Sequence, residues 1–155
     1  MIRIKPHHFV DIVTAFGDGQ TRFEPHPYGH AVHTVAEEVH RDHEVLLEME
    51  LGADDICAPC SHNVDGICDD CIDTSFRPRA PKSKREYNLL IDERWCRLLG
   101  IAQGDRLTAR ELCRRIRDRG DDLAVVYREM PSHSIEDRRI KLTKGVRKYL
   151  EDDPE

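Results

Sequence analysis

Aromatic side chains are scarce in this 155-residue chain, which has one Trp, four Tyr and four Phe. Apolar residues make up 39% of it, low for a globular protein. Such a chain should lean on something besides hydrophobic burial, and a bound metal adds directly to folding free energy. Long apolar runs are missing too. No stretch could span a bilayer, and Met1-Ile2-Arg3-Ile4-Lys5 lacks the apolar run of a signal peptide. A cytoplasmic protein with no membrane contact is expected. Basic charge is not in excess either. The formal net charge of −6 argues against a general nucleic-acid surface, which usually needs a basic patch. No internal repeat is visible, and the length suits one domain better than two.

What the chain does have is charge, at 35%, and six cysteines. A reducing cytoplasm argues against disulfides and for metal binding or redox chemistry. The charge is unevenly spread. Residues 37–55 are mostly acidic, whereas Arg110, Arg114, Arg115 and Arg117 crowd one short stretch. Charge runs of this kind are usually solvated faces.

The pattern predicts an α+β fold, mostly helical, with a small sheet near the N-terminus and a cysteine-rich metal loop. It is read as a single domain, 1–155, with a strand/helix/strand part at 1–51, the metal loop at 52–73 and a helical part at 84–151. Ile2 and Ile4 alternate with Arg3 and Lys5 as in a strand ended by Pro6. His8 to Phe16 predicts a short helix and Tyr28 to Arg41 an amphipathic one, with Val32, Val35, Ala36 and Val39 on one face. Glu44 to Leu51 alternates as a strand. A proline-punctuated linker, 74–81, leads to a helix from Lys84 to Leu99 that stops at Gly100. Thr108-Ala109-Arg110-Glu111 is a capping box opening a further helix. Ser134 is placed to cap a last helix, which Gly145 should weaken.

The chemistry concentrates in Cys57-Ala58-Pro59-Cys60, a gap of seven residues, and Cys68-Asp69-Asp70-Cys71. Each Cys-x-x-Cys turn lets two thiolates converge, and Asp65-Gly66 midway can fold the second pair back on the first. Four soft ligands suit tetrahedral zinc or an iron–sulfur cluster. Zinc ribbons usually separate their knuckles by a longer hairpin, which tilts the choice toward a cluster. A thioredoxin-like dithiol should open a helix after a strand, and no helical pattern follows either pair. Cys96 and Cys113, on helices, fit buried and inert thiols.

Histidines supply a second set. His7 and His8 follow Pro6, and Asp11 lies one helical turn beyond His7, placed to share a ligand, to orient an imidazole, or merely to bond it. His30, His33, Glu37 and His40 fall on one helix face, opposite the apolar one, where a solvated surface is the plainer role. His62, between the cysteine pairs, could replace a thiolate.

Taken together, Ile2-Arg3-Ile4-Lys5-Pro6-His7-His8, Asp54-Asp55-Ile56-Cys57-Ala58-Pro59-Cys60, Gly66-Ile67-Cys68, Asp92-Glu93-Arg94, Leu98-Leu99-Gly100-Ile101 and Gly104-Asp105-Arg106-Leu107 resemble an uncharacterised bacterial and archaeal family of small cysteine-containing proteins. The resemblance spans roughly residues 1–116 and implies iron–sulfur binding. The family pattern carries a cysteine three residues after the second His, where this chain has Asp11. If that cysteine is a family ligand beside those matching Cys57, Cys60 and Cys68, either Cys71 or Asp11 takes its place here.

Three functions follow as expectations. The first is an iron–sulfur protein, 4Fe-4S favoured, held by Cys57, Cys60, Cys68 and Cys71, with His7, His8 and Asp11 as further ligands or as groups that tune the centre. Its role would be redox or cluster-based, with an unidentified redox or protein partner. The second is a zinc-stabilised module whose arginine-rich helix meets a protein or nucleic-acid partner. The third is an enzyme with a second ion among His7, His8, Asp11, His30, His33 and Glu37. No substrate pocket is legible, so no catalytic residue is assigned.

Overall fold

Alternation puts Ile2 and Ile4 on one side of the first strand, β1 (Ile2–Ile4), and both are buried. Its partner β2 (Leu46–Met49) runs parallel, with Ile2 opposite Leu47 and Ile4 opposite Met49. A third strand, β5 (Arg106–Thr108), pairs antiparallel on the other edge of β2. Its three residues are too few and too polar to announce themselves by alternation. The computed structural model describes residues 1–151, and the mostly helical α+β expectation holds across them.

The helices are α1 (Pro6–Gly17), α2 (Val32–Arg41), α3 (Lys84–Leu99), α4 (Ala109–Arg119), α5 (Leu123–Val126) and α6 (Ser132–Tyr149). Pro6 opens α1 as well as ending the strand, since the first helical position needs no N–H. That choice places His7 and His8 in the first turn. Helix α2 starts four residues later than its apolar spacing suggested, because Gly29 is left-handed at φ +77° and the chain before Val32 is loop. Thr108 caps α4 in the complete capping box that the sequence predicts, and Ser83, for which no role was expected, caps α3. Helix α3 stops at Gly100, left-handed at φ +67°. Helix α6 begins before Ser134, behind the extended residue Pro131, so Ser134 lies inside the helix and caps nothing.

The core runs from the buried face of the sheet through α1, α3, α4 and α6. Trp95 is fully buried on α3, and its Nε1 donates to the Tyr127 hydroxyl at 3.2 Å. Gly145 does not simply weaken α6. It lets that helix pass directly over α1, where a Cβ on Gly145 would lie 1.9 Å from the Val13 carbonyl oxygen. No helix of the described residues is long and apolar enough to cross a membrane.

One half-buried ion pair ties α3 to the segment after α5. Arg94 donates from Nη1 and Nη2 to the two oxygens of Glu129, at 2.7 and 2.9 Å, and from Nη1 to the Val126 carbonyl. The Arg94 contacts hold the Glu129 pKa below its ordinary value, against burial. A carboxylate with a depressed folded pKa stabilises the fold above its unfolded pKa, and that contribution fades as pH falls through the folded value. Glu129→Gln should therefore cost about 1–3 kcal/mol at neutral pH. Urea denaturation of the two proteins should converge at acid pH, below the ordinary Glu range.

Candidate metal centre

The cysteine loop is built as a chain of tight turns. Ala58 N donates to the Asp54 carbonyl, Cys60 N to the Cys57 carbonyl at 2.9 Å, and Asn63 N to the Cys60 carbonyl at 3.0 Å. A two-stranded ribbon follows, β3 (Asn63–Val64) and β4 (Ile67–Cys68), with Asn63 opposite Cys68. Asp65 and Gly66 make its turn at φ 53° and 84°, the left-handed pair of a two-residue hairpin. The expected fold-back at Asp65-Gly66 is thus present. It returns Cys68 beside the first cysteine pair.

Cys57, Cys60 and Cys68 line two cavities of about 290 Å³ each. One of these is also lined by His8, Asp11, His30 and His62. Cys71 lines neither cavity. It is exposed, and its backbone bridges Ser83 at the approach to α3. The structure therefore brings three of the four loop thiols together with His8 and Asp11, and leaves Cys71 outside that group. No disulfide joins any of the six cysteines, and Cys96 and Cys113 are buried in the helical core.

His8 is held by Asp54, a residue to which spacing along the chain assigns no role. Asp54, 1% exposed, accepts from His8 Nδ1 at 2.7 Å, from Lys5 N at 2.7 Å and from Cys57 N at 3.0 Å. One side chain thus fixes the start of α1, the first cysteine and the imidazole. With Nδ1 engaged, His8 has only Nε2 left for a ligand. A carboxylate behind an imidazole is the usual support of a metal-bound histidine. Burial by itself would raise the Asp54 pKa, but His8 and the two amides hold it well below the carboxylate range. Burial and the neighbouring His7 lower the His8 pKa, more than Asp54 raises it. A lowered pKa favours the neutral imidazole, the form that metals bind. Burial, then the nearby Asp54 carboxylate, pushes the Cys57 thiol up to about 11. A metal must displace that proton.

His7 points elsewhere. Its Nδ1 bonds both oxygens of Asp92 at 2.9 Å, and its backbone N–H donates to the same carboxylate. Burial lowers the His7 pKa, but Asp92 outweighs it and the net shift is upward. The pairing of His7 with Asp11 is not made, since Asp11 accepts from Arg138 at 2.8 Å. Both imidazoles found their partners far along the chain, on Asp54 and Asp92, where helical spacing gives no hint.

Among the described residues, the one trio of ligand atoms lying within 4.8 Å of one another belongs to His8, Asp54 and Cys57. The expected stripe His30, His33, Glu37 and His40 does not gather into a site, and His30 lies in the loop before α2. His30 stacks on His26 at 4.4 Å and faces the thiol-lined cavity, His40 packs on Phe16 at 4.7 Å, and Glu37 is exposed. The loop before α2 closes over the cysteines instead. Tyr28 packs edge-on against His62, and its carbonyl accepts from Ser61 N at 2.7 Å.

A family model described as a protein of unknown function, DUF1284, matches residues 26–126. No curated protein and no solved structure matches the chain. The matched stretch contains the cysteine loop but begins beyond Pro6-His7-His8 and runs on through α5, a span different from the 1–116 of the resemblance.

Proposed function

The chain belongs to this family of proteins of unknown function, DUF1284, and on that premise we propose that it binds an iron–sulfur cluster, 4Fe-4S in form, through Cys57, Cys60 and Cys68. His8 supplies the fourth position or faces it. The observation that carries this reading is one cavity lined by three thiols and by an imidazole with Asp54 behind it. Cys60 and Cys68 do not join the compact trio. Four thiolates on one zinc ion would crowd to about 4 Å of each other, given its short bonds to sulfur. Thiols that surround a cavity suit a larger inorganic body, in which each sulfur meets a different iron. A nitrogen or oxygen ligand at the fourth iron exchanges more readily than a thiolate, so that iron is the place for redox-coupled or cluster-based chemistry. Asp11 lines the same cavity, but its bond to Arg138 makes it the weaker candidate.

Zinc is the second reading, favoured by the closeness of His8 and Cys57. Asp54 is poorly placed to join a zinc ion, because its oxygens already accept three hydrogen bonds. The test is protein purified without oxygen. Brown protein with broad absorbance near ~400 nm that bleaches on reduction is expected, with iron and acid-labile sulfide in equal amounts. Colourless protein carrying about one zinc per chain would replace the first reading by the second. A metal-free folded protein would end both.

A further inference from the structure

A second cavity adjoins the thiol-lined one and differs from it in character. It has a volume of about 290 Å³ and shares His8, Asp11, Lys84 and Asn88 with its neighbour. Its own wall carries Arg77, Arg138, His7 and Tyr87. Three permanent cations thus face one carboxylate, Asp11, across a small space.

The cations are held in place by their surroundings. Arg77 lies over the Tyr87 ring, 4.9 Å from its centroid, with Nε bonded to the Asp73 carbonyl. Arg138 stacks on Tyr127 at 4.5 Å while Nη1 meets Asp11. Lys84, the first residue of the sixteen-residue helix α3, lies 3.5 Å from Asp70. The helix start adds the partial positive charge of its unpaired amides.

Tyr87 is the independent sign of a ligand. The residue is 3% exposed, and its buried hydroxyl, beside the Arg77 side chain, makes no hydrogen bond of normal geometry. Leaving a buried polar group unpaired is costly, and proteins keep few of them. This one belongs to a cavity wall that also carries three cations, Arg77, Lys84 and Arg138. A hydroxyl that donates to an anion would be satisfied there.

We propose that this cavity binds a small oxyanion, the carboxylate or phosphate group of a metabolite, with Arg77, Lys84 and Arg138 matching its charge and the Tyr87 hydroxyl donating to it. The opening toward His8 and Asp11 sets such a molecule beside the thiol-lined cavity, where a substrate or effector of the centre would lie. The site itself goes beyond the metal reading and does not depend on it, because none of its cationic groups or Tyr87 is a candidate metal ligand.

The test uses the full chain, its metal content measured, titrated calorimetrically with inorganic phosphate and separately with malonate. The expected result is saturable binding of at least one probe. Tyr87→Phe should weaken it about tenfold, the loss of one charge-assisted hydrogen bond, and Lys84→Met by about as much. Tyr87→Phe should at the same time raise the melting temperature, because it removes an unpaired buried hydroxyl. That opposite pairing separates a ligand contact from a structural role. Tighter phosphate binding would assign a phosphate ester, and tighter malonate binding a carboxylate. Absence of binding to folded wild-type protein at millimolar probe, or binding that both variants leave unchanged, would overturn the proposal. Neither result bears on whether Cys57, Cys60 and Cys68 hold a metal.

Discussion

Cys57→Ser, Cys60→Ser and Cys68→Ser should each strip the protein of most of its metal, while Cys71→Ser should retain nearly all of it. The contrast rests on position. The first three thiols line shared cavities, and Cys71 is on the surface beyond them. A hard hydroxyl does not replace a soft thiolate on iron or zinc. Asp54→Asn should fall between these extremes, with metal affinity down about 10- to 100-fold, as expected when the group behind a ligating histidine is altered. Iron, sulfide and zinc per chain, measured on the four cysteine variants and Asp54→Asn in parallel, decide the matter. Equal losses in Cys71→Ser and Cys57→Ser would restore the four-cysteine ligand set. The damage should also be local. A two-stranded ribbon as short as β3–β4 is not stable alone, whereas α1, α3, α4 and α6 share a core that the loop does not supply. Hydrogen exchange should show residues 57–71 losing protection in the metal-poor variants while amides of α1 and α4 keep theirs.

How far the sequence revealed this architecture depends on the range of the interactions. Short-range signals carried well. The Thr108–Glu111 box, the Gly100 stop and the Asp65-Gly66 turn are each complete within a few residues, and each is where local chemistry puts it. Cys57, Cys60 and Cys68 were visible for the same reason, because spacing alone makes thiols converge. The partners of His7 and His8 were not. Asp92 lies 85 residues from His7 and Asp54 lies 46 from His8, and both are buried acids that look like surface charge in a sequence this rich in carboxylates. Cys71 matched the local pattern of its neighbours, but its backbone bridge to Ser83 turns the chain away toward α3. β5 was missed because three residues hold no period, and it is strand only by virtue of β2 beside it. The oxyanion cavity draws on α1, the linker, α3 and α6, so no window of sequence contains it.

Gly145→Ala should damage the helical core despite being a conservative change. By propensity alone the substitution would stabilise α6 by about 1 kcal/mol, since glycine is a poor helix former. Packing opposes it. The new methyl would stand 1.9 Å from the Val13 carbonyl oxygen, and across the same contact a methyl on Gly17 would stand 1.8 Å from the Lys141 carbonyl oxygen. Both obstacles are helix backbone, which cannot turn aside as a side chain does, so α1 and α6 must separate along their shared face. Forced overpacking of this kind costs about 1–3 kcal/mol, enough to outweigh the propensity gain. Separation would also disturb Phe9 and Tyr149, whose rings meet edge to face 6.3 Å apart across that interface. The net loss should be about 1–2 kcal/mol, or roughly 2–8 °C in melting temperature for a chain this long. It should exceed that of Gly66→Ala, where a Cβ meets nothing within 4 Å and only the left-handed φ resists. Thermal denaturation of the two variants measures the difference directly, and a Gly145→Ala protein as stable as the parent would mean that α1 and α6 do not touch at backbone distance. Because α1 also carries His7 and His8, Gly145→Ala should lower metal content as well, a loss reaching the centre through the helix that holds its imidazole.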